Sequence, residues 1–330
     1  YSNINDKKLK TSSRNLDNDF LVVLSSGSTG NPKPIVFSQK TKYLRSKFMQ
    51  KLYKIKQSDK VTLTCPIEHS LGMRLLFLPF ISGATCIVMP KFTPVGYFKI
   101  VKKFNATFSI LVSNQIYQLL ERKNLFNNFY LKTGLVSASS ILTYEAKKKI
   151  IDKKIKLYEM YGASEIATAT SININKDSGK IKSVGKSYNS KIEIRILSEK
   201  NKFLKKGEIG EIVCKTPLKF KYYLNKKKTT KISYFKNYFK TGDIGYLDKH
   251  SYLFFLGRKK NIIRRSGFSV YPEDIENIFL NDRNINEVAV IGVNRVKNEE
   301  IHLFLKKGKK LNDAYIKNIC IKKLSTFQMP

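Results

Sequence analysis

The chain has no tryptophan, only four cysteines, and 25 acidic residues against 62 lysines and arginines in 330 positions. Each shortage excludes something. Cys65, Cys86, Cys214 and Cys320 are too widely separated to form metal-ligand or redox pairs. Neither a zinc site nor a disulfide scaffold is expected, and a reduced, cytoplasmic setting is the default. Long apolar runs are missing too. The best of them, Leu75–Met89, follows Arg74 and is broken by Pro79 and Gly83. It is too short to cross a bilayer and reads as a helix end, a glycine turn and a buried strand over Ala84–Met89. No signal peptide is visible. The scarcity of acid leaves a formal net charge of +37, which invites a nucleic-acid reading through counterion release from phosphates. No RNA-recognition, helix-turn-helix or zinc signature accompanies that charge. Lysine and asparagine are spread over the whole chain, with isoleucine and tyrosine also common, as drift toward AT-rich codons would leave them. No nucleic-acid partner is expected.

What is present is enough for a large core: 42% of the residues are apolar, and the length suits two domains. Residues 20–190 alternate strand-like and helix-like runs. Phe20–Leu24, Val61–Cys65, Ala84–Met89, Phe108–Val112, Gly134–Ser137 and Ile155–Tyr158 read as strands. Lys42–Tyr53, Tyr97–Phe104, Asn114–Arg122 and Thr143–Lys153 read as helices, the last with Thr143 as N-cap. Such alternation predicts an α/β fold with a largely parallel sheet covered by helices. Residues 191–256 change character. Ile192–Leu197, Gly210–Lys215 and Ser251–Leu256 are short strands of a β-rich subdomain. After Lys260 comes a compact α+β unit, with a helix from Pro272, strands at Val288–Val293 and Ile301–Leu305, and a helix over Asp313–Leu324.

The most specific chemistry follows the first strand, at Ser25-Ser26-Gly27-Ser28-Thr29-Gly30-Asn31-Pro32-Lys33. Glycines let backbone approach a ligand closely. Successive N–H groups and hydroxyls can point at phosphate oxygens, and Lys33 adds a positive charge. The pattern is not a P-loop, because Pro32 stands at the second glycine position and Pro34 follows the lysine. Nor is it the dinucleotide fingerprint, since Gly27-Ser28-Thr29 lacks the Gly-x-Gly. A solvated Ser/Gly turn is the bland alternative. The nine residues resemble the phosphate loop of the adenylate-forming enzymes: acyl-CoA synthetases, nonribosomal adenylation domains and luciferases.

Three later segments resemble the same superfamily in the same order. Tyr161-Gly162-Ala163-Ser164-Glu165 is similar to its Tyr-Gly-x-Thr/Ser-Glu segment. The resemblance implies that Tyr161 offers a face to adenine, Ser164 a hydroxyl to the α-phosphate and Glu165 a hard oxygen to Mg²⁺. Read alone, it is a loop after a strand. Thr241-Gly242-Asp243 resembles the family's Thr-Gly-Asp, whose acceptor-only carboxylate takes both ribose O–H donors. Read alone, it is an ordinary Gly-Asp turn between strands. Gly257–Gly267 resembles the segment joining the large and small domains, and continues through Val270–Glu276 like the start of the small domain's helix. There Arg258 is implied to reach ribose and phosphate, Lys260 to be the hinge, and Gly267 to line the tunnel for the thiol. Pro34 departs from the family, which usually has glycine there.

The resemblance runs from about residue 20 to Pro330. It implies a large AMP-binding domain over 1–259 and a small mobile domain over 260–330. Both are incomplete relative to the family, and the chain stops before the motif that holds the catalytic lysine. It reads as part of a longer product or as a decayed gene, and alone it is expected to have little or no adenylation activity. The implied reaction is AMP-forming acid–thiol ligation. A carboxylate attacks the α-phosphate of ATP with Mg²⁺ present, and CoA or a carrier-bound phosphopantetheine then takes the acyl group. Thr29, Lys33, His69 and Glu165 are the implied catalytic groups. Ser25, Ser26, Gly27, Ser28, Gly30, Ser137, Ala138, Ser139, Gly162 and Ala163 complete the implied nucleotide site. Pro66-Ile67-Glu68-His69-Ser70-Leu71-Gly72 resembles the Pro-x-x-His-x-x-Gly of acyl- and aryl-CoA synthetases. His69 would stand at the carboxylate's entry, or be a structural residue. Ser70 occupies the position of the aspartate that pairs an amino-acid ammonium, and burying that ammonium unpaired is costly. A simple carboxylic acid is expected as substrate. A basic surface would attract ATP, CoA phosphates and an acidic carrier protein. Two alternatives stay open: an amino-acid adenylation domain, and a catalytically dead remnant that still binds nucleotide or a carrier.

Overall fold

The structure is a computed structural model that describes residues 15–24, 32–265, 268–282, 284–294, 299–307 and 312–330. Ser25, Ser26, Gly27, Ser28, Thr29, Gly30 and Gly267 lie outside the described residues. The first part runs β1 (Asp19–Leu24), β2 (Pro34–Ser38), α1 (Gln39–Tyr53), β3 (Lys60–Leu63), α2 (Ser70–Ser82), β4 (Thr85–Val88), α3 (Pro94–Phe104) and β5 (Phe108–Val112). It continues through α4 (Ser113–Glu121), α5 (Lys123–Phe126), β6 (Gly134–Ala138), α6 (Tyr144–Ile151), β7 (Leu157–Ala163) and β8 (Ala167–Asn173).

Strands that are apolar on both faces make a sheet with helices on both sides. Phe108, Ile110 and Val136 pack with Met49, Tyr53, Leu75 and Leu78 of α1 and α2. The neighbours that point the other way, Leu111 and Leu135, pack with Tyr97, Val101, Ile116 and Ile150 of α3, α4 and α6. The sheet order is β4-β3-β5-β6-β7-β8, parallel throughout except that β8 runs antiparallel to β7. The helix signals act as read: the Thr143 side chain accepts from Ala146 N at 3.3 Å and starts α6. Gly72 has a packing reason. A Cβ there would lie 1.8 Å from the Pro66 carbonyl oxygen, so only glycine lets α2 approach the preceding loop.

α6 is tied to the sheet by charge. Lys147 and Glu159 form an ion pair with 1% and 2% of their surfaces exposed. Lys147 Nζ also donates to the Ile181 carbonyl at 2.6 Å, and Leu142 N donates to Glu159 Oε1 at 2.9 Å. Burial pushes the Glu159 carboxyl up, and Lys147 pulls it back.

The β-rich part contains β9 (Glu193–Leu197), β10 (Gly210–Lys215), β11 (Tyr222–Tyr223), α7 (Lys227–Ile232), β12 (Tyr234–Phe235), β13 (Tyr238–Leu247) and β14 (Leu253–Arg258). β11 leaves this part to pair with β2, making the small sheet β1-β2-β11. The last part comprises β15 (Ile263–Arg265), β16 (Phe268–Val270), α8 (Pro272–Leu280), β17 (Ile285–Asn294), β18 (Glu299–Lys307) and α9 (Asp313–Lys323). Its core, with Ile275, Phe279, Ile301 and Ile319, draws only on residues from Ile263 onward.

Two local readings change. β7 does not end at Tyr158 but runs through Tyr161-Gly162-Ala163 to make a hairpin with β8. Thr241-Gly242-Asp243 is not a turn between strands. It lies inside the ten-residue β13, at a bulge where Val213 faces Lys240 but Glu211 faces Ile244. Gly242, at φ +72°, supplies the left-handed residue the bulge requires. No described helix is long and apolar enough to cross a membrane, and all four cysteines are free.

Candidate active site

The bulge in β13 aims Asp243 at its neighbour strand. Asp243 stands opposite Arg258 in the β13–β14 register, and Arg258 Nε reaches Asp243 Oδ1 at 2.9 Å. From β7, Tyr161 donates its hydroxyl to Asp243 Oδ2 at 2.7 Å. The bulge itself is pinned. Thr241 Oγ1 donates to the Ile212 carbonyl at 2.7 Å and accepts from Asp243 N at 3.1 Å. Gly242 N donates to Glu211 Oε1 at 3.3 Å, while Lys259 pairs with Glu211 Oε2 at 3.0 Å. Asp243 is buried, whereas the Arg258 side chain is 44% exposed. The carboxylate is therefore covered, and the guanidinium that pairs with it reaches solvent. Burial raises the Asp243 carboxyl above its ordinary value; Arg258 and Tyr161 oppose that, and Glu211 and Glu165 add to it. The Tyr161 phenol is driven well up by burial and by Asp243. Its ring lies beside Phe255, with centroids 6.1 Å apart.

Glu165 lies in the turn of the β7–β8 hairpin, and its carboxylate accepts from Tyr223 Oη at 2.7 Å. Lys33, immediately before β2, places its ammonium 5.3 Å from the centre of the Tyr223 ring. The pairing of β11 with β2, Tyr223 opposite Ile35, brings these groups together. Arg45 of α1 braces the loop from below. It donates to the carbonyls of Ser164 at 3.0 Å, Glu165 at 2.8 Å and Leu218 at 2.9 Å. Gly162 is held close to Ala167, whose carbonyl oxygen would lie 1.8 Å from a Cβ. Tyr161, Asp243 and Arg258 thus form one cluster and Lys33, Tyr223 and Glu165 a second, joined along the chain by the end of β7 and the turn that follows it.

The remaining predicted residues are placed less uniformly. Ser137 and Ala138 are buried at the end of β6, and Ser137 Oγ has no hydrogen-bond partner. Ser139, at φ +79°, is exposed. His69 is the exposed N-cap residue of α2, and its side chain makes no capping bond. Lys260 is exposed in the turn after β14, where Arg258 N donates to Glu273 Oε1 at 3.3 Å and links β14 to α8. Arg45 and Tyr223 were not singled out from sequence. Arg45 had a signal: it lies on the Thr41, Arg45, Met49, Tyr53 stripe that α1 buries, where a charge is anomalous. Tyr223 had none, because a two-residue strand carries no period.

One cluster thus holds a buried carboxylate between a phenol and a guanidinium, and the other a carboxylate and a lysine that meet at one tyrosine. Residues 3–224 match the family described as AMP-binding enzyme. The chain belongs to that family. It is 26% identical over 319 residues to the 2-succinylbenzoate–CoA ligase of Bacillus licheniformis, covering 96% of this chain and 66% of the relative. It is 28% identical over 317 residues to the long-chain-fatty-acid–CoA ligase of Bacillus subtilis, covering 93% and 56%. The o-succinylbenzoate coenzyme A synthetase of Bacillus subtilis, solved with ATP and magnesium ion, shares the fold at a TM-score of 0.88 and 23% identity, over 96% of this chain and 66% of that one. ATP-bound MatB from Rhodopseudomonas palustris gives 0.86 at 25% identity, over 96% and 64%. The chain spans about half to two thirds of the length of the relatives it matches.

Proposed function

We propose that the protein activates a carboxylic acid with ATP and passes the acyl group to the thiol of CoA or of a carrier-bound phosphopantetheine. The observation that carries this reading is the buried Asp243 held between Tyr161 and Arg258, with Glu165, four residues along the chain from Tyr161, meeting Lys33 at Tyr223. Asp243 accepts both ribose hydroxyls, since an ionised carboxylate offers only acceptors. Arg258, whose side chain is partly exposed, swings between ribose and phosphate. Tyr161 holds Asp243 in place and presents what remains of its ring edge to adenine. Ser164 faces the α-phosphate, with Gly162, Ala163 and the Ser137–Ser139 end of β6 around the nucleotide. Lys33 and the loop from Ser25 to Gly30, Thr29 included, neutralise the β- and γ-phosphates.

Glu165 suits Mg²⁺. It is a hard oxygen donor fixed by Tyr223, and a lone carboxylate matches a cation that arrives on phosphates and keeps waters. When bound, Mg²⁺ supplies charge neutralisation at the phosphate oxygens. The substrate carboxylate, entering past His69, attacks the α-phosphorus; a new O–P bond forms and pyrophosphate leaves. In the second step the thiol sulfur attacks the acyl carbon, the acyl C–O bond breaks, and AMP leaves with that oxygen. Residues 260–330 act as the small domain, Lys260 as the hinge between the two steps, and Gly267 as the thiol's passage. Protein work of this kind is positioning and electrostatics. A reducing cytoplasm suits four free cysteines, and a charge of +37 suits an acidic carrier.

A simple acid is favoured over an amino acid by one feature. Ser70, beside His69, brings no carboxylate, and the charged side chains lining the small void behind it, Lys42, Arg45 and Arg74, are all basic, so an α-ammonium would find no acidic side chain to pair with. ATP–pyrophosphate exchange by the full-length protein decides the matter. Exchange with fatty, aryl or dicarboxylic acids is expected. Exchange with amino acids alone, or none with any acid, would overturn the reading. Within the same assay, Tyr223→Phe removes the hydrogen bond that orients Glu165. It is expected to raise the Mg²⁺ concentration for half-maximal exchange about 10-fold, as loss of a ligand's supporting partner does. An unchanged Mg²⁺ requirement would separate Glu165 from the metal.

A further inference from the structure

Between α1 and α2 lies a void of about 10 Å³ lined by Lys42, Arg45, Ser46, Ser70, Arg74 and Phe77. Three of the six linings are cations and two are hydroxyls; none is a carboxylate. Lys42 and Arg45 are 5% and 4% exposed. Arg45 spends its donors on backbone carbonyls. Lys42 Nζ rests on the Phe37 ring, 4.2 Å from its centre, and Arg45 lies over the same ring at 4.3 Å. Arg74 reaches Thr168 Oγ1 only at 3.4 Å. Its Nε, and Ser70 Oγ, are buried without a hydrogen-bond partner. Glu165, whose charge acts on Arg45, gives its carboxylate to Tyr223 instead.

Buried charges need a partner, because a cation desolvated among cations is costly. The cost registers on Lys42, whose ammonium is lowered to about 6 by burial and then by Arg45 and Arg74, so that near neutral pH an anion binds there together with a proton on Lys42. A water would satisfy Arg74 Nε and Ser70 Oγ as an acceptor but would leave the like charges facing one another. A void of this size holds roughly one water-sized particle, so phosphate, sulfate and the tail of a substrate do not fit. We propose that this void binds one monatomic inorganic anion of halide size, held by Lys42, Ser70 and Arg74 at the back of Arg45. Because Arg45 also braces the Ser164 and Glu165 carbonyls, the anion would stiffen the loop in front of it.

Bromide is the probe. Crystals of the protein grown without halide and transferred to sodium bromide are expected to show an anomalous peak between Lys42, Ser70 and Arg74. In solution, chloride should raise Tm by about 2–4 °C over gluconate at equal ionic strength. Lys42→Met should lose that increment, with Ser70→Ala as the gentler substitute if the first variant folds poorly. Bromide ordered on the basic surface but not in the void, or a halide increment that both variants retain in full, would overturn the proposal. Neither result depends on the ligase reading, since no nucleotide is present.

Discussion

Asp243→Ala should raise the KM for ATP on the order of 100-fold, with a much smaller change in the apparent affinity for the acid. The carboxylate is buried and fixed by Tyr161 at 2.7 Å and Arg258 at 2.9 Å, and so is oriented before any ligand arrives. A hydrogen bond to a charged group contributes about 1.5–3 kcal/mol, and tenfold in affinity corresponds to roughly 1.4 kcal/mol. Two such bonds to ribose, not fully additive, give about two decades. The alanine variant also leaves the buried Tyr161 hydroxyl without its acceptor, so a modest fall in Tm is expected beside the kinetic effect. Asp243→Asn separates the two. Its amide oxygen can still accept from Tyr161, which should recover part of the lost Tm, while the NH₂ group stands where Arg258 Nε and a ribose hydroxyl both need an acceptor. Pyrophosphate release measured against ATP concentration for both variants checks this. An ATP dependence unchanged in Asp243→Ala would detach the residue from the nucleotide.

Lys147→Met is expected to be the most destabilising single change where α6 packs on the sheet. Removing one partner of a buried ion pair costs about 3–5 kcal/mol, because the other charge stays behind. Here Glu159 would remain, sealed under α6, with only the Leu142 N–H for company. The pH dependence has a definite sign. The folded-state pKa of Glu159 is already raised by burial, and loss of Lys147 raises it further. A raised carboxyl binds its proton more tightly folded than unfolded, so stability falls as pH rises through the folded value. The deficit of Lys147→Met relative to the parent should therefore be largest near pH 8 and shrink toward pH 5. Urea midpoints at both pH values measure it. Lys147→Met combined with Glu159→Leu should recover most of the loss, since a well-packed apolar pair can replace a buried ionic one. A deficit that does not change with pH would mean that Glu159 is not the charge left behind.

Much of the layout was legible because local rules and tertiary structure agree. Phe108–Val112 and Gly210–Lys215 fall where their apolar runs place them. Thr143 caps its helix, and the break at Gly83 divides α2 from β4 as expected. The misreadings share one cause. Whether Thr241-Gly242-Asp243 is a turn or a bulge depends on β10 and β14, which lie alongside it from elsewhere in the chain. Strand β2 was hidden behind the Pro32-Lys33-Pro34 run, and its partner β11 is two residues long. Tyr223 therefore gave no warning that it would hold Glu165. Arg45 could have been found by asking why a guanidinium shares a helix stripe with Met49 and Tyr53. Its answer, three backbone carbonyls, again lies on distant segments.

The central claim is that these scattered segments make one AMP-shaped site, and a crystal structure with ATP and Mg²⁺ bound tests it most directly. The prediction is a nucleotide whose ribose hydroxyls rest on Asp243, with Arg258 over the sugar, the triphosphate running toward Lys33 and the metal on Glu165. A nucleotide ordered against other residues, with Asp243 still occupied only by Tyr161 and Arg258, would contradict it.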